Sequence, residues 1–221
     1  MVAALRTYGR IKSRSLKPRQ ARLMDELLPA LAVPATPFDP RQLMPSATEV
    51  WLEAGFGAGE HLTGQAARHP DALFIGAEPF VNGLGACLAH VDAAGLTNVR
   101  LHAGDVRTLM TWLPDASIDR FSILFPDPWP KTRHRKRRLI QSDFIVAAAR
   151  LLKPGAPLRF VTDWADYADW TLERFAASPH FRWTAERADD WRGPWPDHLT
   201  TRYETKRLGD CDPVWLEFAR V

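Results

Sequence analysis

From Thr48 onward the chain alternates short apolar, β-favouring runs with longer segments of helical period. Residues 50–53, 73–77, 99–102, 118–125 and 158–162 read as strands, with two short late strands at 181–184 and 214–220. Helical spacing covers 60–68, 80–94, 143–152 and 164–177. Ser142 is placed to cap the third of these helices, and Pro154 with Gly155 closes it. Such alternation predicts an α/β fold: a mostly parallel central sheet with helices on both faces, finished by a C-terminal antiparallel hairpin. Before Thr48 the texture differs. Residues 1–24 hold no sustained amphipathic period and contain Gly9 and Pro18, which predicts a mobile arm that orders on a partner. A short helix over 19–31 and prolines at 34, 37, 40 and 45 then lead into the core. The organisation expected is an arm (1–24), a helix and Pro-rich linker (25–47) and one domain (48–221).

Charge changes this picture more than length does. The 221 residues carry a net charge of only +3, but 13 of the 29 basic residues fall in 1–24 and 131–138, where there is no acid, leaving 16 bases against 26 acids elsewhere. Positive field gathered in two places points to a polyanion. Two cysteines, Cys87 and Cys211, and no metal-ligand spacing among seven histidines predict no structural disulfide and no metal. No apolar run reaches membrane-spanning length and no secretory signal stands at the start, so a cytoplasmic protein is expected; an Arg-rich mitochondrial presequence is the alternative reading of the first residues.

Candidate chemistry begins after the first strand. In LEAGFGAGE, Glu53 ends the strand and Gly55, Gly57 and Gly59 lead into the next helix, where a doubly wound fold binds its cofactor. The GxGxG spacing is not the GxGxxG of dinucleotide sites, and a carboxylate there suits a cation better than a pyrophosphate. Glu78 ends the second strand, placed to accept both hydroxyls of a ribose, and Asp105 follows the third, within reach of an adenine amino group. Each acid alone also reads as a strand-end residue or helix cap. Together they describe an adenosine-like ligand without a phosphate-binding lysine, which favours S-adenosylmethionine over a nucleotide.

The fourth strand runs into FPDPWPKTRHRKRRL at 125–139. Pro126, Pro128 and Pro130 stop the strand and stiffen the loop, so Asp127 and Trp129 are expected in extended geometry. Lys131, Arg133, Arg135, Lys136, Arg137 and Arg138 follow, a density suited to phosphate contacts or to a merely solvated loop.

With LEAGFGAGE, FPDPWPKTRHRKRRL, FVTDWADY at 160–167 and TRYETKRLGD at 201–210 in hand, the sequence resembles the bacterial tRNA (guanine-N7)-methyltransferase family from Arg6 onward. The resemblance implies a Rossmann-like class I methyltransferase fold, S-adenosyl-L-methionine as cofactor, and methyl transfer to N7 of a variable-loop guanine of tRNA. It implies Glu53, Glu78, Asp105 and Asp127 as cofactor-contacting acids, and Lys131, Asp163, Thr201, Arg202, Tyr203 and Glu204 as substrate contacts. Ala54, Ala77 and Gly104 depart from the family pattern without removing a functional group. No protein partner is implied, and a monomer and a homodimer remain equally open.

The implied chemistry is economical. Guanine N7 carries a lone pair and no proton, so no general base is obligatory. A carboxylate that favours the developing cation is wanted, and Asp127 is the first choice with Asp163 second. Trp129 is suited to stacking on the base or to packing its own loop. A tRNA-binding module that has lost activity, a methyltransferase for another RNA and, more remotely, a dinucleotide-dependent oxidoreductase are the competing readings.

Overall fold

The computed structural model describes residues 7–9, 11–13 and 15–221. Part of the expected basic arm, residues 1–6, 10 and 14, with Arg6, Arg10 and Arg14 among them, lies outside the described residues. Contacts divide the chain into two compact units, residues 1–114 and 115–221.

The first unit is built on three parallel strands, β1 (Glu49–Ala54), β2 (Ala72–Ala77) and β3 (Val99–His102), in the order β3-β2-β1. All six residues of β2 are buried, which is why ALFIGA reads as an unbroken apolar run rather than an alternating one. Register places Leu52 opposite Ile75 and Phe74 opposite Val99. Its helices are α1 (Pro18–Glu26), α2 (Leu28–Leu31), α3 (Glu60–Arg68), α4 (Val81–Ala94) and α5 (Val106–Met110). Trp51, Phe56, Leu62, Phe74, Leu84 and Leu88 form its core. Asn98, 4% exposed, donates from Nδ2 to the carbonyls of Ala66, His69 and Ala72, each at 3.0 Å, and so ties the end of α3 to the start of β2. Pro18 opens α1 instead of breaking a helix, since the first helical position needs no N–H. Ile11, Ser13 and Thr7 bond to Val81, Asn82 and Asp105 of this unit.

The second unit carries β4 (Arg120–Leu124), β5 (Pro157–Thr162), β6 (Phe181–Trp183) and β7 (Val214–Arg220), in the order β4-β5-β7-β6. β4 and β5 are parallel, whereas β7 runs antiparallel to both β5 and β6, giving the expected terminal hairpin. Helices α6 (Ser142–Leu151), α7 (Ala165–Ala176) and α8 (Asp189–Arg192) complete it. Phe175 stacks on Phe218 at 3.9 Å and Phe160 meets Tyr167 edge-on, so aromatic rings fill the space between α7 and the sheet. Ser142 is the first residue of α6 rather than its cap, because the helix starts one residue earlier than expected, and Gln141 takes the N-cap position without a capping side-chain bond. Among the described residues no helix is long and apolar enough to cross a membrane.

Irregular segments of the second unit are pinned by charge. Asp197 accepts from Arg120 and Arg159 on neighbouring strands, Arg159 also bonds Glu217 at 2.7 Å, and its guanidinium lies 4.8 Å from the Trp195 ring. Burial alone would raise the Asp197 pKa, but Arg159 and then Arg120 pull it down to about 2. A depressed pKa contributes stability above the ordinary carboxylate range, and that stability is lost as pH falls from about 4 toward 2. Asp197→Asn is therefore expected to cost about 1 kcal/mol at neutral pH, discounted for partial exposure, and much less at pH 2, where the group is only about half ionised; urea midpoints at both pH values check this.

Candidate functional site

The candidate site residues fall in two groups, one in each unit. In the first, the turn after β1 takes Gly55, Gly57 and Gly59 through positive φ angles of 69°, 56° and 81°. Gly59 has a second constraint: a Cβ there would lie 2.6 Å from the Cys87 sulfur of α4. The turn can therefore approach a ligand, and α3 starts directly behind it.

Glu53, 5% exposed, is the last residue but one of β1 and is held by His61, whose Nδ1 lies 2.8 Å from Oε2. Glu78 Oε2 accepts from the Gly57 N–H and Oε1 from the Phe80 N–H, each at 2.8 Å, so this acid shapes the glycine turn. An ionised carboxylate offers about four acceptor positions, enough for ribose hydroxyls beside these two donors. Asp105 differs. It caps α5, and its oxygens accept from the Arg107 N–H (2.9 Å), Nε (2.9 Å) and Nη2 (2.6 Å) and from Thr7 (3.1 Å). Burial would raise its pKa, yet the Arg107 hydrogen bonds hold it below the usual carboxylate value. Four donors fill four acceptor positions, so the adenine contact expected of Asp105 requires one of them to leave.

The residues present fit a cationic cofactor. Burial pushes the Cys87 thiol pKa far up, and Glu53, Glu78 and Glu60 push it further, in that order. Glu53 and Glu78, both buried beside the glycine turn, give it a negative field. Such a field opposes a phosphate and favours a sulfonium.

In the second group the loop after β4 is strained. Phe125 (φ 49°) and Trp129 (φ 42°), each followed by proline, are left-handed. Trp129 is thus not extended as expected, and for bulky residues these angles cost of order 1–3 kcal/mol each. Phe125 is fixed by the carbonyl of Val161 at 2.8 Å and by the rings of Tyr203 (5.0 Å) and Trp215 (6.4 Å). Trp129 packs against His134 and lies beneath Arg137, 4.9 Å away. Asp127 keeps an exposed surface, but protein packed around its carboxyl raises its pKa by desolvation.

The basic run is not a free loop, as residues 132–137 wind into a 3₁₀ turn. Lys131, Arg133 and Lys136 are exposed, whereas Arg135 pairs with Asp166 at 2.5 Å and Arg137 sits over Trp129. Arg138 is unavailable to phosphate, contrary to expectation. Its side chain is 1% exposed, donates from Nε to the Pro128 carbonyl at 2.8 Å and from Nη2 to Asp166, and lies over the Tyr167 ring at 4.8 Å.

Asp163, 5% exposed, follows β5 and accepts from the Tyr203 hydroxyl at 3.3 Å. Its backbone carbonyl accepts from the N–H groups of Asp210 and Cys211, and a Cβ on Gly209 would overlap that carbonyl. Burial and then Asp163 raise the Tyr203 pKa. Thr201 and Glu204 satisfy each other: Glu204 Oε1 accepts from the Thr201 N–H (2.8 Å) and hydroxyl (3.0 Å), and His198 lies 3.0 Å from both carboxylate oxygens. Burial would raise the Glu204 pKa, but the His198 contact lowers it. Arg202 is exposed. So Asp163 and Tyr203 come together with Phe125, while Thr201 and Glu204 hold the turn that presents Tyr203.

Solved structures with this fold are methyltransferases. A 16S rRNA (adenine(1408)-N(1))-methyltransferase from Catenulisporales acidiphilia matches with a TM-score of 0.59 and 20% identity, covering 84% of this chain and 93% of that one. The 16S rRNA methyltransferase KamB matches at 0.54 and 18%, covering 81% and 91%. The fold is that of class I methyltransferases. A family model described as "Putative methyltransferase" matches residues 47–215. The tRNA (guanine-N(7)-)-methyltransferase of Caulobacter sp. (strain K31) is 59% identical over 217 residues, 98% of this chain and 96% of that protein; the one from Hyphomonas neptunium is 47% identical over 216 residues, 97% and 99%. The chain belongs to the tRNA (guanine-N(7)-)-methyltransferase family.

The residues not anticipated from sequence are partners: His61, Arg107 and Asp166. Arg107 stands two residues after Asp105 at a helix start, a proximity the sequence shows without showing that the two side chains pair. Arg138→Ala should lower stability by roughly 2–3 kcal/mol, against no more than about 0.5 kcal/mol for Arg133→Ala, as measured by urea unfolding.

Proposed function

We propose that the chain transfers the methyl group of S-adenosyl-L-methionine to N7 of the variable-loop guanine of tRNA, in the cytoplasm. What carries this reading is the 59% identity, along 98% of the chain, to a protein named for that reaction. When bound, the cofactor supplies a methyl group on a sulfonium. Glu53 and Glu78, with the glycine turn between them, hold it, and the negative field they give that turn supports its positive charge being welcome there. N7 attacks with its own lone pair, so the protein has no proton to remove. Its task is alignment, which contributes roughly 7–11 kcal/mol when an encounter becomes effectively intramolecular.

Asp127 takes the electrostatic role. A desolvated carboxylate gains more from a nearby cation than a hydrated one, and the guanine becomes cationic as it is methylated. Asp163 and Tyr203 bind the base edge. Lys131, Arg133 and Lys136, with Arg202, hold phosphates and read no sequence.

Incubation with methyl-labelled cofactor and unmodified tRNA should yield 7-methylguanosine; tRNA binding without methyl incorporation would favour the inactive-module reading instead. Asp127→Asn should reduce kcat about 10²- to 10³-fold, and near-normal turnover would remove Asp127 from the centre. Alanine at Lys131, Arg133 or Lys136 should weaken tRNA binding and flatten the log Kd against log salt slope by about one for each phosphate no longer neutralised.

A further inference from the structure

Glu53 is almost entirely buried, and a buried carboxylate must be compensated. The obvious compensation is a lysine or arginine, which would also cancel the charge that a cationic cofactor needs. Here the side-chain partner is a histidine. His61 and Gln65 are four residues apart on α3 and so share a face. His61 Nδ1 lies 2.8 Å from Glu53 Oε2, and on the far side of the ring the Gln65 amide nitrogen lies 3.3 Å from Nε2. All three residues are buried.

With the Gln65 amide nitrogen placed toward the ring, the contacts point to one location for the proton. An amide nitrogen donates and cannot accept, so with that nitrogen facing it Nε2 is the acceptor. The ring proton is then on Nδ1, donated to Glu53. The chain Gln65 to His61 to Glu53 delivers one neutral hydrogen bond to one carboxylate oxygen, leaving the negative charge intact and the second oxygen outside the relay.

We propose that His61 and Gln65 are positioning residues for the cofactor: Gln65 sets the tautomer of His61, and His61 fixes the Glu53 carboxylate, uncancelled, against the sulfonium-bearing end of S-adenosylmethionine. This rests on the reading of the first-unit acids as the cofactor site. The turn geometry agrees with it. Gly59 is the N-cap of α3, so the same short segment carries both the glycine turn and the residues that orient Glu53, and a shift of the helix would disturb both.

The test is a calorimetric titration with S-adenosylmethionine, in the absence of tRNA, on the full chain. His61→Phe should weaken binding about 10- to 100-fold, as loss of a hydrogen bond to a charged group does. His61→Asn, whose amide can replace the Nδ1 donor, should recover binding to within about threefold of the parent. Gln65→Met, which keeps the ring and frees its tautomer, should weaken binding a few-fold. In a Glu53→Gln background His61→Phe should cost little more, since the carboxylate it positions is gone. A folded His61→Phe protein that binds as well as the parent would overturn the proposal, as would an equal loss in both backgrounds, which is what a packing role gives. If His61→Phe does not fold, the proposal stands or falls on Gln65→Met measured with and without Glu53→Gln. A parent protein that does not bind the cofactor at all would sink the functional reading, a result distinct from any of these.

Discussion

A charge taken out of water has to be met by another group, and that constraint decides where several buried charged side chains of this protein stand. Arg138 is the clearest instance. Its guanidinium is closed off from solvent by Asp166, the Pro128 carbonyl and the face of Tyr167. Since Pro128 belongs to the loop that carries Asp127, the arginine at the end of the basic run is what holds the loop at its start. Arg159 does the same for the segment around Asp197, and in the other unit Arg107 ties down Asp105. Each fixed charge costs desolvation and returns a defined backbone position.

The loop of three prolines shows what such anchoring makes possible. Left-handed Phe125 and Trp129 would relax in an isolated peptide, and they persist because neighbouring contacts over-determine them. Ring contacts from Tyr203 and Trp215, together with the bond to Val161, hold the first; Arg137 and His134 hold the second. Strain of this kind is gathered at one loop, with the Asp127 carboxylate between the two left-handed residues.

The regular elements are legible because their signals are local. α3, β3 and β7 lie where periodicity and turn residues place them, and the buried β2 is an apolar run that admits no other reading. α5 escapes such reading: five residues are too few for a period, although Asp105 marks its start. The acids themselves can be read from their positions after strands. Their partners cannot, because sequence shows a cation but not which carboxylate it folds against. Arg138 lies in the same basic run as Lys136 and Arg133, yet of the three it alone turns inward, a choice made by Asp166 and Tyr167 nearly thirty residues further on. Pro18 and Trp129 depart from expectation for a related reason: rules for the residue alone describe neither, and helix position in one case and tertiary contacts in the other prevail.

Gly209 gives the tail an importance that its composition hides. Its backbone passes so near the Asp163 carbonyl that a hydrogen atom is all the gap admits. The C-terminal segment is thus a gauge for the acid: any residue with a side chain at 209 would displace Asp163 or be displaced by it. Because the nearest clash is with a backbone oxygen, no change of residue at 163 relieves it, and a stretch that looks like a spacer before the last strand is one of the surfaces that set the acid's position.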